Sequence, residues 1–305
     1  MNKNIENILR EFDFSDEFKA QKNFREKVVL HINKNEFKKA QDFNDKLLIL
    51  NPNNYEANRD KAFINYNLNN LEVAENSITK ALDINNRDVF GLNIYALILI
   101  SKKEYKKSIL YLKKAINIDK NYIDSYNNLG TCFFETERLD DAFRCFRKAY
   151  KINKNYPNTL INIGNILSLK DKYFFAISFF NKVLEVFPNN INVLNNIAIC
   201  YFRKRDIDNA KKYYEKIEKI SQNDYDLKYI YSTTLLNLGE YVEGWKLFDS
   251  RFYLKKNYKF IKNKEIKKLD IEINFKTDKI LILREQGIGE EILFSSIYRR
   301  LLMND

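Results

Sequence analysis

The chain has 305 residues, with 52 Lys and Arg against 41 Asp and Glu and a formal net charge of +11. Hydrophobic residues make up 45% and aromatics 14%, enough to build a core and to exclude a disordered chain. Gly (7) and Pro (3) are too scarce for the tight turns of a β-sandwich or barrel, and one His with three Cys, none in a CxxC pair, offers no zinc or haem site.

The first twenty residues interleave charge (Glu6, Arg10, Glu11, Asp13, Asp16) with Ile5, Ile8, Leu9, Phe12 and Phe18. They lack the continuous apolar stretch of an export signal and read as a capping helix over residues 1–20. The apolar runs, such as 94–100 and 280–283, fall far short of the roughly 20 residues that span a bilayer. Three cysteines (Cys132, Cys145, Cys200) make no disulfide scaffold, and the expectation is a soluble protein of a reducing, cytoplasmic compartment. The 41 asparagines fit an AT-rich genome, so Asn in a loop carries little functional weight by itself.

From residue 21 the chain repeats. In a 34-residue frame starting at 21, 55, 89, 123, 157, 191 and 225, position 20 holds Ala40, Ala74, Ser108, Ala142, Ala176, Ala210 and Gly244. Position 8 holds Val28, Ala62, Ala96, Gly130, Gly164, Ala198 and Ser232. Position 24 holds Asn44, Ile78, Leu112, Phe146, Phe180, Tyr214 and Phe248, and position 27 holds Leu47, Ala81, Ala115, Ala149, Val183, Ile217 and Arg251. Small residues in register let two helices cross closely, and large apolar residues fill the space beside each crossing. Pro52 and Pro188 at position 32 stand where a second helix must end. The first and last units depart most from the pattern, as terminal repeats of a stacked array do.

The sets Tyr126/Leu129/Gly130/Phe133 with Ala142/Phe146/Ala149, and Leu160/Ile163/Gly164/Leu167 with Ala176/Phe180/Val183 and Pro188, resemble the tetratricopeptide repeat (TPR) signature. The resemblance covers residues 21–258 as seven units. It implies an all-α fold, a right-handed superhelix of helix pairs, with a concave groove that captures a peptide or protein partner. With a core stripe at positions 4, 8 and 11 of each first helix, positions 2, 5, 6, 9 and 13 are expected to face that groove. This places Asn93, Asn127 and Asn195 (position 5), Asn128, Asn162 and Asn196 (position 6) and Asn165 (position 9) on its wall. An amide offers a donor and an acceptor together and pairs with a peptide group whatever the peptide's side chains. The three triplets at 128, 162 and 196 are similar to the asparagine ladder in the TPR groove of protein O-GlcNAc transferases. Lys22 and Arg25 are too few and too far apart for a carboxylate clamp. His31 and the three cysteines read as packing residues.

After residue 254 the pattern stops. Residues 255–268 hold seven Lys (Lys255 to Lys268) and one acid, Glu265. Within 259–278 this reads as a solvated basic linker, with contact to nucleic acid or anionic lipid the sharper alternative. Lys279–Arg284 reads as a buried strand, Glu285–Glu291 as a glycine turn with Gly287 and Gly289, and Ile292–Met303 as a helix. Together they form the opening β-α unit of a Rossmann-like domain over 279–305. Gly244-Trp245, Arg251-Phe252 and ILILREQGIGEEILFSS resemble bacterial TPR proteins that continue into a heptosyltransferase-like GT-B domain. The family's loop reads E-Q-G-x-G-D, and its Asp acts as general base on the acceptor hydroxyl. Glu290 occupies that position with a carboxylate carried about 1.5 Å further out.

A single strand buries neither itself nor its backbone groups. The expectation is therefore an N-terminal part of a longer protein, without transferase activity or cofactor as it stands. The primary reading is a binding scaffold. The alternative is the acceptor-recognition region of a glycosyltransferase.

Overall fold

The computed structural model describes residues 14–221, 224–237, 239–248 and 250. These contain fourteen helices in seven consecutive pairs. The first helices of the pairs, here A helices, are α1 (Phe14–Asn33), α3 (Tyr55–Asn67), α5 (Val89–Ser101), α7 (Ile123–Glu135), α9 (Pro157–Leu169), α11 (Ile191–Arg203) and α13 (Tyr225–Asn237). The second, or B, helices are α2 (Phe37–Leu50), α4 (Leu71–Ile84), α6 (Tyr105–Ile118), α8 (Leu139–Ile152), α10 (Tyr173–Val186), α12 (Ile207–Ile220) and α14 (Tyr241–Phe248). From the second unit on, each A helix starts at the first residue of the 34-residue frame.

Helix α1 runs without a break from Phe14 through the junction between the expected capping helix and the first unit. Residues 1–13 of that expectation lie outside the described residues. So do Arg251, the linker over 259–278 and the β-α unit over 279–305, with Gly287, Gly289 and Glu290.

Every described residue at positions 8, 20, 24 and 27 is buried. The clearest instance of close crossing lies between α7 and α8. A Cβ added at Gly130 would sit 2.4 Å from the Phe146 ring, and one added at Gly164 would sit 2.5 Å from the Phe180 ring. In units two and three position 8 is Ala62 or Ala96 and position 24 the slimmer Ile78 or Leu112, whereas unit six packs Tyr214 with Ala198. At the two Gly–Phe pairs the two positions share one volume. No unit owns its core: the buried clusters join residues of neighbouring units, as in the set Leu160, Phe180, Val183, Val193, Ile197 and Cys200. Stacking rather than any single pair supplies the burial.

The A helices bury more than one stripe. Positions 3 and 10 are also buried, at Ala57, Gly91, Ser125, Thr159 and Val193 and at Ile64, Ile98, Cys132, Ile166 and Cys200. The reason is topological: each A helix from α3 to α11 packs against its own B helix, against the preceding B helix and against at least one neighbouring A helix. The A helices therefore form the inner layer, and the B helices stand outside them.

Each A helix ends in one motif. The residue at position 15 takes a left-handed conformation at Asn35, Asn69, Lys103, Glu137, Asp171, Arg205 and Gly239, with φ from 57° to 85°. The next N–H reaches back over the last turn, as Glu104 N to Leu99 O (2.8 Å) and Arg138 N to Phe133 O (2.8 Å). This caps orphan carbonyls of the helix end. Only the last unit supplies glycine. A left-handed conformation costs a non-glycine residue about 1–2 kcal/mol, less for Asn, and glycine's greater freedom in the unfolded chain gives part of that back. Lys103→Gly and Glu137→Gly are each expected to raise stability by about 0.5–1 kcal/mol, more than Asn69→Gly. Urea unfolding midpoints check this, and a lowered midpoint for both would contradict the strain argument.

Candidate binding groove

The inner wall is built by successive A helices, four of them started by a side-chain cap. Asn54, Asp88, Asn190 and Asp224 accept from the N–H of Ala57, Phe90, Val193 and Leu227 at 2.9–3.1 Å. Pro157 opens α9 at a position where its missing N–H costs nothing. Tyr122 and Tyr156 stand at the cap position without a side-chain cap. Tyr156 instead donates to Asp124 Oδ1 at 2.5 Å. Burial, then that carboxylate, pushes its phenol well above the usual range. Burial likewise pushes Tyr122 up to about 12.

Neighbouring A helices are tied by polar side chains at positions 5 and 6. In the first three units the ties are charged. Arg25 pairs with Asp60 and, at 3.4 Å, with Glu56. Arg59 bridges Asp60 (3.3 Å) and Asp88 (3.2 Å) and lies over the Phe90 ring. Burial lowers the Arg25 pKa, opposed chiefly by Glu56. Arg25 is therefore committed to the scaffold.

From the third unit on the ties are neutral. Asn93 Nδ2 donates to Ser125 Oγ (2.7 Å), Asn128 Nδ2 to Asn93 Oδ1 (3.4 Å), and Thr159 Oγ1 to Asn127 Oδ1 (3.0 Å). Asn196 Nδ2 donates to Asn165 Oδ1 at 2.9 Å.

These bonds sort the asparagines. Asn93 and Asn127, expected on the groove, are only 3% and 5% exposed and hold one unit to the next. Position 5 is turned inward because position 3 of the following A helix packs beside it. Asn195 has the same place, but its partner position holds Leu227, and its Oδ1 is buried with no hydrogen bond. Asn128, Asn162, Asn165 and Asn196 are half-buried on the open side of α7, α9 and α11.

Asn165 and Asn196 border a cleft of about 230 Å³ whose other walls include Phe134, Leu169, Ile199 and Arg203. Its floor is apolar and its rim carries amides and one exposed guanidinium. An amide of this kind offers a donor and an acceptor together, which are the groups a peptide bond pairs with.

The remaining singled-out residues are structural. His31 Nδ1 lies 2.6 Å from Glu36 Oε2, with its ring stacked on Phe43. Cys132 and Cys200 are buried against Ser108 and Ser168. Burial raises the pKa of both thiols and pushes Cys145 up to about 11, so all three stay protonated and weakly nucleophilic. Among the described residues no group of three His, Cys, Asp or Glu is placed to hold a metal ion, and no helix is long and apolar enough to cross a membrane.

An inner layer of A helices, an outer layer of B helices and a continuous core between them define an all-α solenoid of stacked helix pairs. The tetratricopeptide repeat model matches residues 91–122, 123–156 and 191–224. Among solved structures the fold is similar to that of PilF from Pseudomonas aeruginosa, with 18% identity over 72% of this chain and 99% of that one and a TM-score of 0.60. A tetratricopeptide repeat protein from Parabacteroides merdae gives 16% identity, 80% and 96% coverage and a TM-score of 0.60. The APC/C hetero-tetramer Cut9–Hcn1 gives 14%, 75% of this chain and 46% of that one, and 0.68. At these identities the likeness is one of fold. No curated protein matches the sequence.

Proposed function

We propose that the chain is a protein-interaction scaffold that holds an extended segment of a protein partner along the inner face of α7, α9 and α11. The observation that carries this reading is the set of open amides, Asn128, Asn162, Asn165 and Asn196, beside the cleft at Phe134, Leu169 and Ile199. The buried pair Asn93 and Asn127, with Asn195, sets the spacing of that wall instead of touching the partner. The inert thiols fit a protein working in a reducing cytoplasm.

A second reading rests on the residues from Lys279 to Glu291, outside the described part. In it the solenoid presents an acceptor to a GT-B domain that opens there, with Glu290 as general base. Its test is transfer from nucleotide-sugar donors by the protein with all its coding sequence. The reading requires transfer that is abolished by Glu290→Gln, and transfer unaffected by that change would contradict it.

For the scaffold reading, 15-residue peptides selected on the 305-residue chain by phage display serve as probes, with affinities read by fluorescence anisotropy. Each lost hydrogen bond is worth about 0.5–1.5 kcal/mol. The variant Asn162→Ala/Asn165→Ala/Asn196→Ala is therefore expected to bind groove peptides at least about tenfold more weakly with its helical content unchanged. If no selected peptide loses affinity on that variant, the groove is not the binding face.

A further inference from the structure

The outer face of the fifth unit breaks the pattern of the other six. At positions 18 and 19, where a B helix meets solvent, every other unit carries at least one charged side chain: Lys38-Lys39, Glu72, Lys106-Lys107, Asp140-Asp141, Asp208 and Glu243. Helix α10 carries Phe174 and Phe175 there, 74% and 58% exposed. The two rings meet edge to face at 5.7 Å between centroids.

Neither ring contributes to the core, which α10 supplies through Ala176, Ile177, Phe180 and Val183. Two phenylalanines exposed side by side form an apolar patch of the kind that marks an interaction site, so the pair points to an occupant. Beside it, α10 and the C-terminal end of α11 border a second, open cleft of about 410 Å³, lined by Phe174, Ile177, Lys182, Glu185, Tyr201 and Lys204. Lys182 is held over the Phe179 ring at 5.8 Å and Lys204 over Tyr201 at 5.6 Å. No salt bridge is formed by either ammonium among the described residues.

We propose that this face is a second docking site, separate from the inner groove, for a segment of a protein partner that carries an apolar side chain flanked by acidic residues. The apolar anchor enters the cleft against Phe174 and Ile177, and its acidic neighbours meet Lys182 and Lys204. Aromatic anchors in a partly enclosed pocket, rimmed by charge, are what concentrates binding energy at protein interfaces. The concave shape favours a side chain over a bilayer, which needs no cleft. A second copy of the chain meets this face with a net charge of +11 of its own.

The test uses the same displayed library on the 305-residue chain, with two further variants, Phe174→Ser/Phe175→Ser and Lys182→Glu/Lys204→Glu. Both pairs are at the surface, and circular dichroism checks that the fold is kept. The expected result is a class of peptides with Leu, Ile or Phe next to Asp or Glu. These lose at least tenfold in affinity on each outer-face variant and none on the groove variant, which separates this site from the inner one. The proposal is overturned if no selected peptide responds to Phe174→Ser/Phe175→Ser, or if the responding peptides show no acidic bias. It is also overturned if what the serine variant abolishes is sedimentation with phosphatidylserine vesicles, or self-association in the ultracentrifuge, with no selected peptide affected.

Discussion

The structure depends on how closely an A helix approaches its B helix. Positions 8 and 20 are small or β-branched in every unit, and in units four and five, where position 8 is Gly, the Phe at position 24 fills the space its missing side chain leaves, as Gly130 with Phe146 and Gly164 with Phe180 show. A well-packed interior feels a single added methyl group, so this complementarity fixes the depth and angle of each pair. The pair then offers the next A helix a surface of set shape, and the stack follows. The groove is a consequence: A helices touch their neighbours on the inside, and polar side chains at positions 5 and 6 stitch that layer together.

Two kinds of stitch divide the inner wall. The first units use ion pairs around Arg25, Asp60, Arg59 and Asp88, and close their surface with charges that satisfy each other. The later units use amides and hydroxyls, which leave part of their hydrogen-bonding capacity available. The cleft at Phe134, Leu169 and Ile199 opens in that second stretch. The proposed binding face therefore lies in the half of the solenoid where the wall is neutral, and the outer site on α10 lies in the same half.

The period and the burial of positions 8, 20, 24 and 27 were legible in the sequence, because small residues recur at one spacing whatever surrounds them. Three features were not. Position 15 holds Asn, Lys, Glu, Asp, Arg and Gly, so no residue type announces the left-handed turn that all seven share. Asn93 and Asn127 were read as groove residues because a single buried stripe was assumed, whereas an A helix buries positions 3 and 10 as well. Phe174 and Phe175 sit at positions that carry a charge in each of the other units, but composition alone gives no reason for two aromatics there, and their exposure is seen only in the structure. The spacing at Ser125 and Thr159, each 32 residues after an asparagine, was the available signal for the buried ties.

The most direct test of the central claim is a double-mutant cycle at one crossing, read by urea unfolding. Gly130→Ala adds a methyl group into the Phe146 ring, at a cost of about 1–3 kcal/mol from overpacking against up to about 1 kcal/mol gained in helix propensity. Phe146→Leu leaves a cavity. The pair Gly130→Ala/Phe146→Leu reproduces the Ala96–Leu112 arrangement of the third unit. The account predicts that the double variant is more stable than the sum of the two single effects by about 1 kcal/mol or more. Simple additivity would contradict the claim that these two positions share one volume and set the helix crossing.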